Sequence, residues 1–174
     1  KALWFIYLLL TLACIAALRI AGMNWFDAVF HAFSTLALGG FSSYDASIGH
    51  FDSPAIELVL VTFMAIAAMN FSRHLVAWQQ KSLRAYRTDR EAIAMLGLLA
   101  AGTLLVASFV WAMDMYPDFA GTLRHVAFNL VSVATTCGFA TQDFAQWPAF
   151  APLWMIMLSC YACNTGSTGG GIKM

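Results

Sequence analysis

Twenty-two residues, Ala92 to Met113, pass without a charged side chain. A bilayer's hydrocarbon core is spanned by about 20 apolar residues, and backbone in lipid must satisfy its own hydrogen bonds. This run therefore reads as a transmembrane helix. Ala2–Leu18 is a second candidate, bounded by Lys1 and Arg19 and with room to run on to Ile20. Pro54–Phe71 is a third, interrupted only by Glu57 near its start. Pro148–Cys163 is apolar but short, so it is expected to be oblique or broken. The chain is 61% hydrophobic and only 10% charged, where a soluble domain carries about 25% charged residues. Mean hydropathy is +0.72. The expected class is an all-α membrane protein that crosses the bilayer several times.

The formal net charge is zero, so no basic field points to nucleic acid. Ala2–Leu18 lacks a small-residue cleavage site and is followed by further apolar segments, which argues against a signal peptide. The chain opens on Lys1 and stops inside a motif at Met174. A piece of a longer protein is expected.

Two weaker apolar segments are half the length of a span. Trp25–Leu38 contains Asp27 and His31, and Thr122–Ala134 contains Arg124, His125 and Asn129. Both suit re-entrant half-helices. Each runs into a short break: ALGGFSSYD at Ala37–Asp45 and TTCGFATQD at Thr135–Asp143. A shift of 98 residues aligns the two, with identities Phe30/Phe128, Ser34/Ser132, Gly40/Gly138, Phe41/Phe139, Asp45/Asp143 and Pro54/Pro152. Those six fall in one 25-residue window, where chance would give about one or two. The unit is an outer helix, a re-entrant pore helix, a loop and an inner helix, present twice in the same direction. Parallel repeats of this kind are related by an axis along the membrane normal. The expected division is 1–78 for the first unit, 79–91 for a basic linker and 92–174 for the second, cut within a broken inner helix.

Between the units, RHLVAWQQKSLRAYRTDRE (Arg73–Glu91) carries Arg73, Lys81, Arg84, Arg87 and Arg90 against Asp89 and Glu91. The positive-inside rule makes it a cytoplasmic loop. The opposite side holds Asp27, Asp45, Asp52, Asp114, Asp118 and Asp143, with Glu57 nearby. The breaks are thus expected to face outside, in an acidic vestibule.

Non-helical backbone at membrane depth is tolerated where it lines water or is buried in protein. Leu38, Gly39, Gly40 and Phe41, with Thr136, Cys137, Gly138 and Phe139, offer no charged side chain. They offer carbonyls, which can replace the hydration shell of a monovalent cation without trapping it. Gly40 and Gly138 give the backbone freedom to aim them, and the preceding half-helices point negative C-terminal ends at the cation. Phe41 and Phe139 are expected to pack behind the loops. A third irregular stretch, NTGSTGGGIKM, comprises Asn164, Thr165, Gly166, Ser167, Thr168, Gly169, Gly170, Gly171, Ile172, Lys173 and Met174. It fails the phosphate-loop pattern, because Ile172 separates Gly171 from Lys173 and Met174 stands where Ser or Thr is needed. It reads instead as a flexible break in the inner helix, able to obstruct a pore on the cytoplasmic side.

Cys160 and Cys163 have redox spacing but sit in an apolar run with no second pair, so they read as packing residues. His31, His50, His74 and His125 share no ligand spacing. No transition-metal site, nucleophile–base pair or organic cofactor is expected, and the chain does not read as an enzyme.

The segments STLALGGFSSYDASIGHFDSPAIELVL, ATTCGFATQDFAQWP and CNTGSTGGGIKM together resemble TrkH-type potassium uptake proteins of the Trk/Ktr/HKT superfamily. That family has four helix–loop–helix units around one pore; this chain is similar to the second and most of the third. The resemblance implies potassium as the transported ion and a filter at Leu38–Phe41 and Thr136–Phe139. It implies an intramembrane gating loop at Asn164–Lys173. It further implies a homodimer in the bacterial inner membrane with a TrkA-like cytosolic nucleotide-binding regulatory subunit. In some plant relatives serine at a filter-glycine position accompanies sodium permeation; both positions are glycine here. Alternatives are a less selective Na⁺/K⁺ permease of the same architecture, a membrane enzyme using His125 or the cysteines, and a non-transporting anchor.

Overall fold

The computed structural model describes residues 2–82 and 84–173, and among these the regular structure is entirely helical. In chain order the helices are α1 (Ala2–Ile20), α2 (Trp25–Leu36), α3 (Pro54–Ala67), α4 (Phe71–Gln80), α5 (Arg84–Arg87), α6 (Arg90–Ala112), α7 (Phe119–Ala134) and α8 (Phe150–Ser159). Short 3₁₀ turns at Ser47–Phe51 and Phe144–Gln146 precede α3 and α8.

The starts of the helices follow from local chemistry. Asn24 accepts a hydrogen bond from the Asp27 N–H and opens α2. Asp89 accepts from the N–H groups of Glu91 and Ala92 and opens α6. Pro54 occupies the first turn of α3, where a missing N–H is harmless. Asp118 accepts from the Gly121 N–H, so α7 begins at Phe119, earlier than the expected Thr122.

Helices α1 and α6 are long and apolar enough to cross a membrane. Their outward faces carry exposed side chains such as Trp4, Leu8, Leu12, Leu104 and Leu105, as lipid-facing helices do. The helix expected over Pro54–Phe71 is formed to Ala67 and then broken. Helix α3 stops at Ala67, and α4 leaves it at 96°. The cause lies on both sides of the break. The Asn70 side chain accepts from the Ser72 N–H and starts a new helix. The carbonyls of Ala67 and Ala68 are taken by the N–H groups of Thr168 (3.4 Å) and Asn164 (3.0 Å), which are remote in sequence. The segment Arg73–Glu91, read as a loop, is therefore largely helical, and Arg73 reaches across it to Asp89 at 3.1 Å.

Helix α8 is short, as its apolar run suggested. It ends at Ser159, where the chain turns and the Ile172 N–H donates to the Cys160 carbonyl at 2.8 Å. Helix α2 packs on α1 and α3, and α7 packs on α6 and α8. The two triplets join where α3 lies against α7. Leu60, Met64, Phe128, Leu130 and Met155 are buried in the shared core.

Candidate functional site

The half-helices α2 and α7 end in the same hydrogen-bonded turn. In α2 the Leu38 N–H donates to the Thr35 carbonyl (3.1 Å) and the Gly39 N–H to the Ser34 carbonyl (2.8 Å). In α7 the Thr136 N–H donates to Val133 (2.9 Å) and the Cys137 N–H to Ser132 (2.9 Å). These are Schellman terminations, and every partner is displaced by the same 98 residues. The residue that must turn left-handed is Leu38 (φ 50°) in one and Thr136 (φ 61°) in the other. Neither is glycine, so each stores strain of about 1–2 kcal/mol. Two residues on, Gly40 (φ 66°) and Gly138 (φ 97°) are left-handed again. The match ends at one hydroxyl: Ser132 Oγ accepts from the Gly138 N–H at 3.2 Å, whereas Ser34 Oγ is buried without a partner among the described residues.

The two breaks touch. A Cβ added to Gly40 would overlap the carbonyl of Cys137, while one added to Gly138 would meet open space. The 3₁₀ turn after the first break clasps the second. The Gly49 N–H donates to the Ala140 carbonyl (3.1 Å), and the Ala140 N–H donates to Ser47 Oγ (3.2 Å). Phe139 packs behind its loop, fully buried beside His31. Phe41 does not: it is 73% exposed, against the open aromatic face of α2. The two phenylalanines are thus equivalent in sequence and different in environment, because nothing among the described residues covers the outer face of α2.

The glycine-rich segment reaches the ends of both half-helices from the other side. Thr168 Oγ1 donates to the Leu36 carbonyl at 2.9 Å, and the Gly170 N–H donates to Thr136 Oγ1 at 2.8 Å. Buried Cys163 donates its S–H to the Thr135 carbonyl at 3.5 Å. Gly169 fits only because it lacks a Cβ, which would strike the Cys163 sulfur. The segment also fills the α3–α4 break, since the Phe71 N–H donates to the Gly166 carbonyl at 3.1 Å. Lys173 folds back, its Nζ donating to the Ser167 carbonyl at 3.2 Å. Asn164 is fully buried, yet neither atom of its side-chain amide has a partner among the described residues. Such a group costs about 1–3 kcal/mol, and Ser167 Oγ is in the same condition.

The acidic side chains have local work. Asp27 accepts from Asn24 (2.7 Å), Ser43 (3.2 Å) and Tyr44 (2.9 Å). The bond to Asp27, with burial, pushes the Tyr44 hydroxyl above its ordinary range. Arg124 grips Glu57 through two bonds, at 2.7 and 2.8 Å, and Asp52 at 2.9 Å. This cluster ties α7 to the start of α3. Asp118 and Asp143 cap α7 and the second 3₁₀ turn. The expected acidic vestibule is thus partly neutralised within the chain. Arg124, His125 and Asn129 lie on one helix but do not converge, for Asn129 bridges the His125 carbonyl and Thr141.

Three of the four histidines are likewise occupied, while His125 stacks on Tyr116 and its buried Nδ1 has no partner among the described residues. His31 pairs with the Asp27 carbonyl and Ser42, His74 with Tyr86 and the Ile66 carbonyl, and His50 stacks on Tyr44 at 3.7 Å. Among the described residues no three His, Cys, Asp or Glu side chains come together as a metal site would require. The sequence reading missed Asn70 and the Ala67 and Ala68 carbonyls. Asn70 is of an N-capping residue type, but a single Asn inside an apolar run does not by itself mark a helix break.

Residues 1–174 match the family described as TrkH, a cation transport protein. The Trk system potassium uptake protein TrkH of Halomonas elongata is 47% identical over the whole chain, and its Escherichia coli K12 namesake is 40% identical. The chain spans 36% of the length of each. Among solved structures, the crystal structure of the potassium transporter TrkH from Vibrio parahaemolyticus superposes with a TM-score of 0.95 at 42% identity. That match covers 99% of this chain and 37% of the solved one.

Proposed function

Because this chain belongs to the TrkH family of cation transport proteins, we propose that it forms part of the potassium-conducting pore of a Trk-type uptake system. Its activity is ion translocation, and K⁺ is its cargo. In this reading residues 1–78 and 92–174 are two pore units joined by the basic linker 79–91. Leu38–Phe41 and Thr136–Phe139 are adjacent walls of a filter. Residues alternate in backbone hand at 38, 39, 40 and again at 136, 137, 138. Extended chains point successive carbonyls to opposite sides, and alternation of hand turns them toward one side, as a dehydrating carbonyl site needs. The C-terminal ends of α2 and α7 add negative potential there.

The observation that carries this reading is the convergence of three irregular segments. Two equivalent breaks meet at Gly40 and Cys137, and the segment Asn164–Lys173 bonds beneath both, at Leu36 and Thr136. A gating loop in that position obstructs the path while its bonds hold. The unpaired Asn164 amide supports a segment that has a second arrangement. The filter walls face outward, the Arg73–Glu91 stretch faces the cytosol, and the protein resides in the bacterial inner membrane. The relatives are named as Trk system proteins, which supports a multi-component assembly; in this reading the other component is a cytosolic nucleotide-binding regulatory subunit, and the full-length protein is a homodimer.

The test is Gly138→Ser in the full-length protein, with bi-ionic flux measured in proteoliposomes. A serine side chain enters the open space beside Gly138 and is expected to raise sodium permeation relative to potassium. An unchanged permeability ratio with normal expression would sink the filter assignment.

A further inference from the structure

The bend between α3 and α4 creates a feature that ion translocation does not use. Since α4 leaves α3 at 96°, it lies along the membrane plane when α3 crosses it. The contact of Trp78 with Phe5 (ring centroids 5.9 Å apart) sets α4 beside the first turns of α1, at the same end as the basic linker. Between the two helices lies a cleft of about 510 Å³. Its walls are mostly apolar, with Ile6, Leu9 and Leu10 of α1 facing Ala77 and Trp78 of α4. Lys81 and Ser82, where α4 ends, lie in the same lining, with His74 and Tyr86, which are hydrogen-bonded to each other at 2.8 Å. A second hollow of about 480 Å³ shares Ser82 and adds Arg84, Arg87 and Thr88.

The charges there are unspent. Arg73 is engaged by Asp89, but among the described residues no carboxylate pairs with Lys81, Arg84 or Arg87. Lys81 sits in a left-handed turn (φ 47°) that ends α4. A largely apolar slot continuous with a hollow lined by two arginines and the Ser82 hydroxyl matches one kind of molecule. Acyl chains fill the slot, and an anionic phosphate takes the cationic donors and the Ser82 hydroxyl, since the Thr88 hydroxyl already donates to the Arg84 carbonyl at 3.0 Å. Trp78, half exposed at the rim, belongs to the side chains that settle at headgroup level.

We infer that the groove between α1 and α4, with Lys81, Ser82, Arg84 and Arg87 at its mouth, is a binding site for an anionic phospholipid of the cytoplasmic leaflet. A zwitterionic lipid presents the same chains without net charge and binds weakly. The site requires the membrane placement of α1, α3 and α4 and is independent of which ion is conducted.

The test uses the full-length protein in detergent, with phosphatidylglycerol or phosphatidylcholine added and retained lipid counted by native mass spectrometry. Wild-type protein should retain phosphatidylglycerol in preference. Lys81→Gln/Arg84→Gln/Arg87→Gln should reduce that retention by about tenfold or more, since each cation near an anionic surface contributes separately. Leu10→Trp, which fills the slot and leaves every charge in place, should reduce it as well. Both variants are checked for an unchanged gel-filtration profile. Equal retention of the two lipids by wild type, or unchanged phosphatidylglycerol in either variant, overturns the site. So does a charge variant that keeps its lipid but loses capture of a cytosolic regulatory protein, because the patch is then a protein dock.

Discussion

Gly40 and Gly138 occupy equivalent places in the two breaks but answer to different constraints. Gly40 is held by contact, since a methyl group there meets the Cys137 carbonyl. Gly138 is held by its backbone angle alone, for the space beside it is open. Gly40→Ala is therefore expected to cost far more than Gly138→Ala, whose penalty is about 1–2 kcal/mol of left-handed strain. Thermal unfolding of the two purified full-length variants measures the difference, and equal losses would refute the contact. The importance of both glycines was legible, because a repeat shifted by 98 residues brought them into register. The left-handed turns at Leu38 and Thr136 were not legible. Leucine and threonine carry no signal for positive φ; the turn is imposed by the helix end and the packing around it. The exposure of Phe41 also escaped the sequence, since its environment depends on what covers α2.

Elements show the same division. Helices α1 and α6 were readable from charge-free length alone, and α2 from its polar interruptions. The break after Ala67 was not, because Ala67-Ala68-Met69 favours helix and the groups that claim the carbonyls, Asn164 and Thr168, are remote in sequence. The contact between α3 and α7 was equally hidden, although its residues were noted as charges. Glu57 is 4% exposed, so removing Arg124 strands a buried carboxylate. Arg124→Met should destabilise the full-length protein by about 3–5 kcal/mol, and Arg124→Met/Glu57→Leu should recover most of the loss. A double-mutant cycle in denaturant reads this; additive losses would mean the ion pair is not the link. The glycine-rich segment makes a separate prediction. Asn164→Leu replaces an unpaired buried amide with an apolar group of similar size, so it should raise the melting temperature and lower potassium flux. Deleting part of Gly166–Gly171 should do the opposite and raise unregulated flux. A well-folded deletion with reduced flux would contradict an obstructing loop.

At the scale of the molecule, the chain covers 36% of its relatives' length, and its surface reflects that. Trp25, Phe26 and Phe33 of α2 are 65%, 71% and 51% exposed. The corresponding face of α7 is covered by α3, with Val131 only 6% exposed. By that equivalence another inner helix should cover α2 in the full-length protein. A cysteine at Phe26 should then resist a water-soluble thiol reagent in the full-length protein and react in the isolated segment. If Leu38–Phe41 and Thr136–Phe139 are filter walls as proposed, residues 1–174 alone, reconstituted in liposomes, should pass no potassium, because two walls do not enclose a path. Both helix interruptions, finally, are fastened to each other: Ala67 and Ala68 to Thr168 and Asn164, Phe71 to Gly166. Neither can open without releasing the other, so they behave as one mechanical joint. Helix α4 is the lever arm of that joint, and its far end emerges toward the basic linker. A torque applied there is delivered, through backbone alone, to the segment bonded to Leu36 and Thr136.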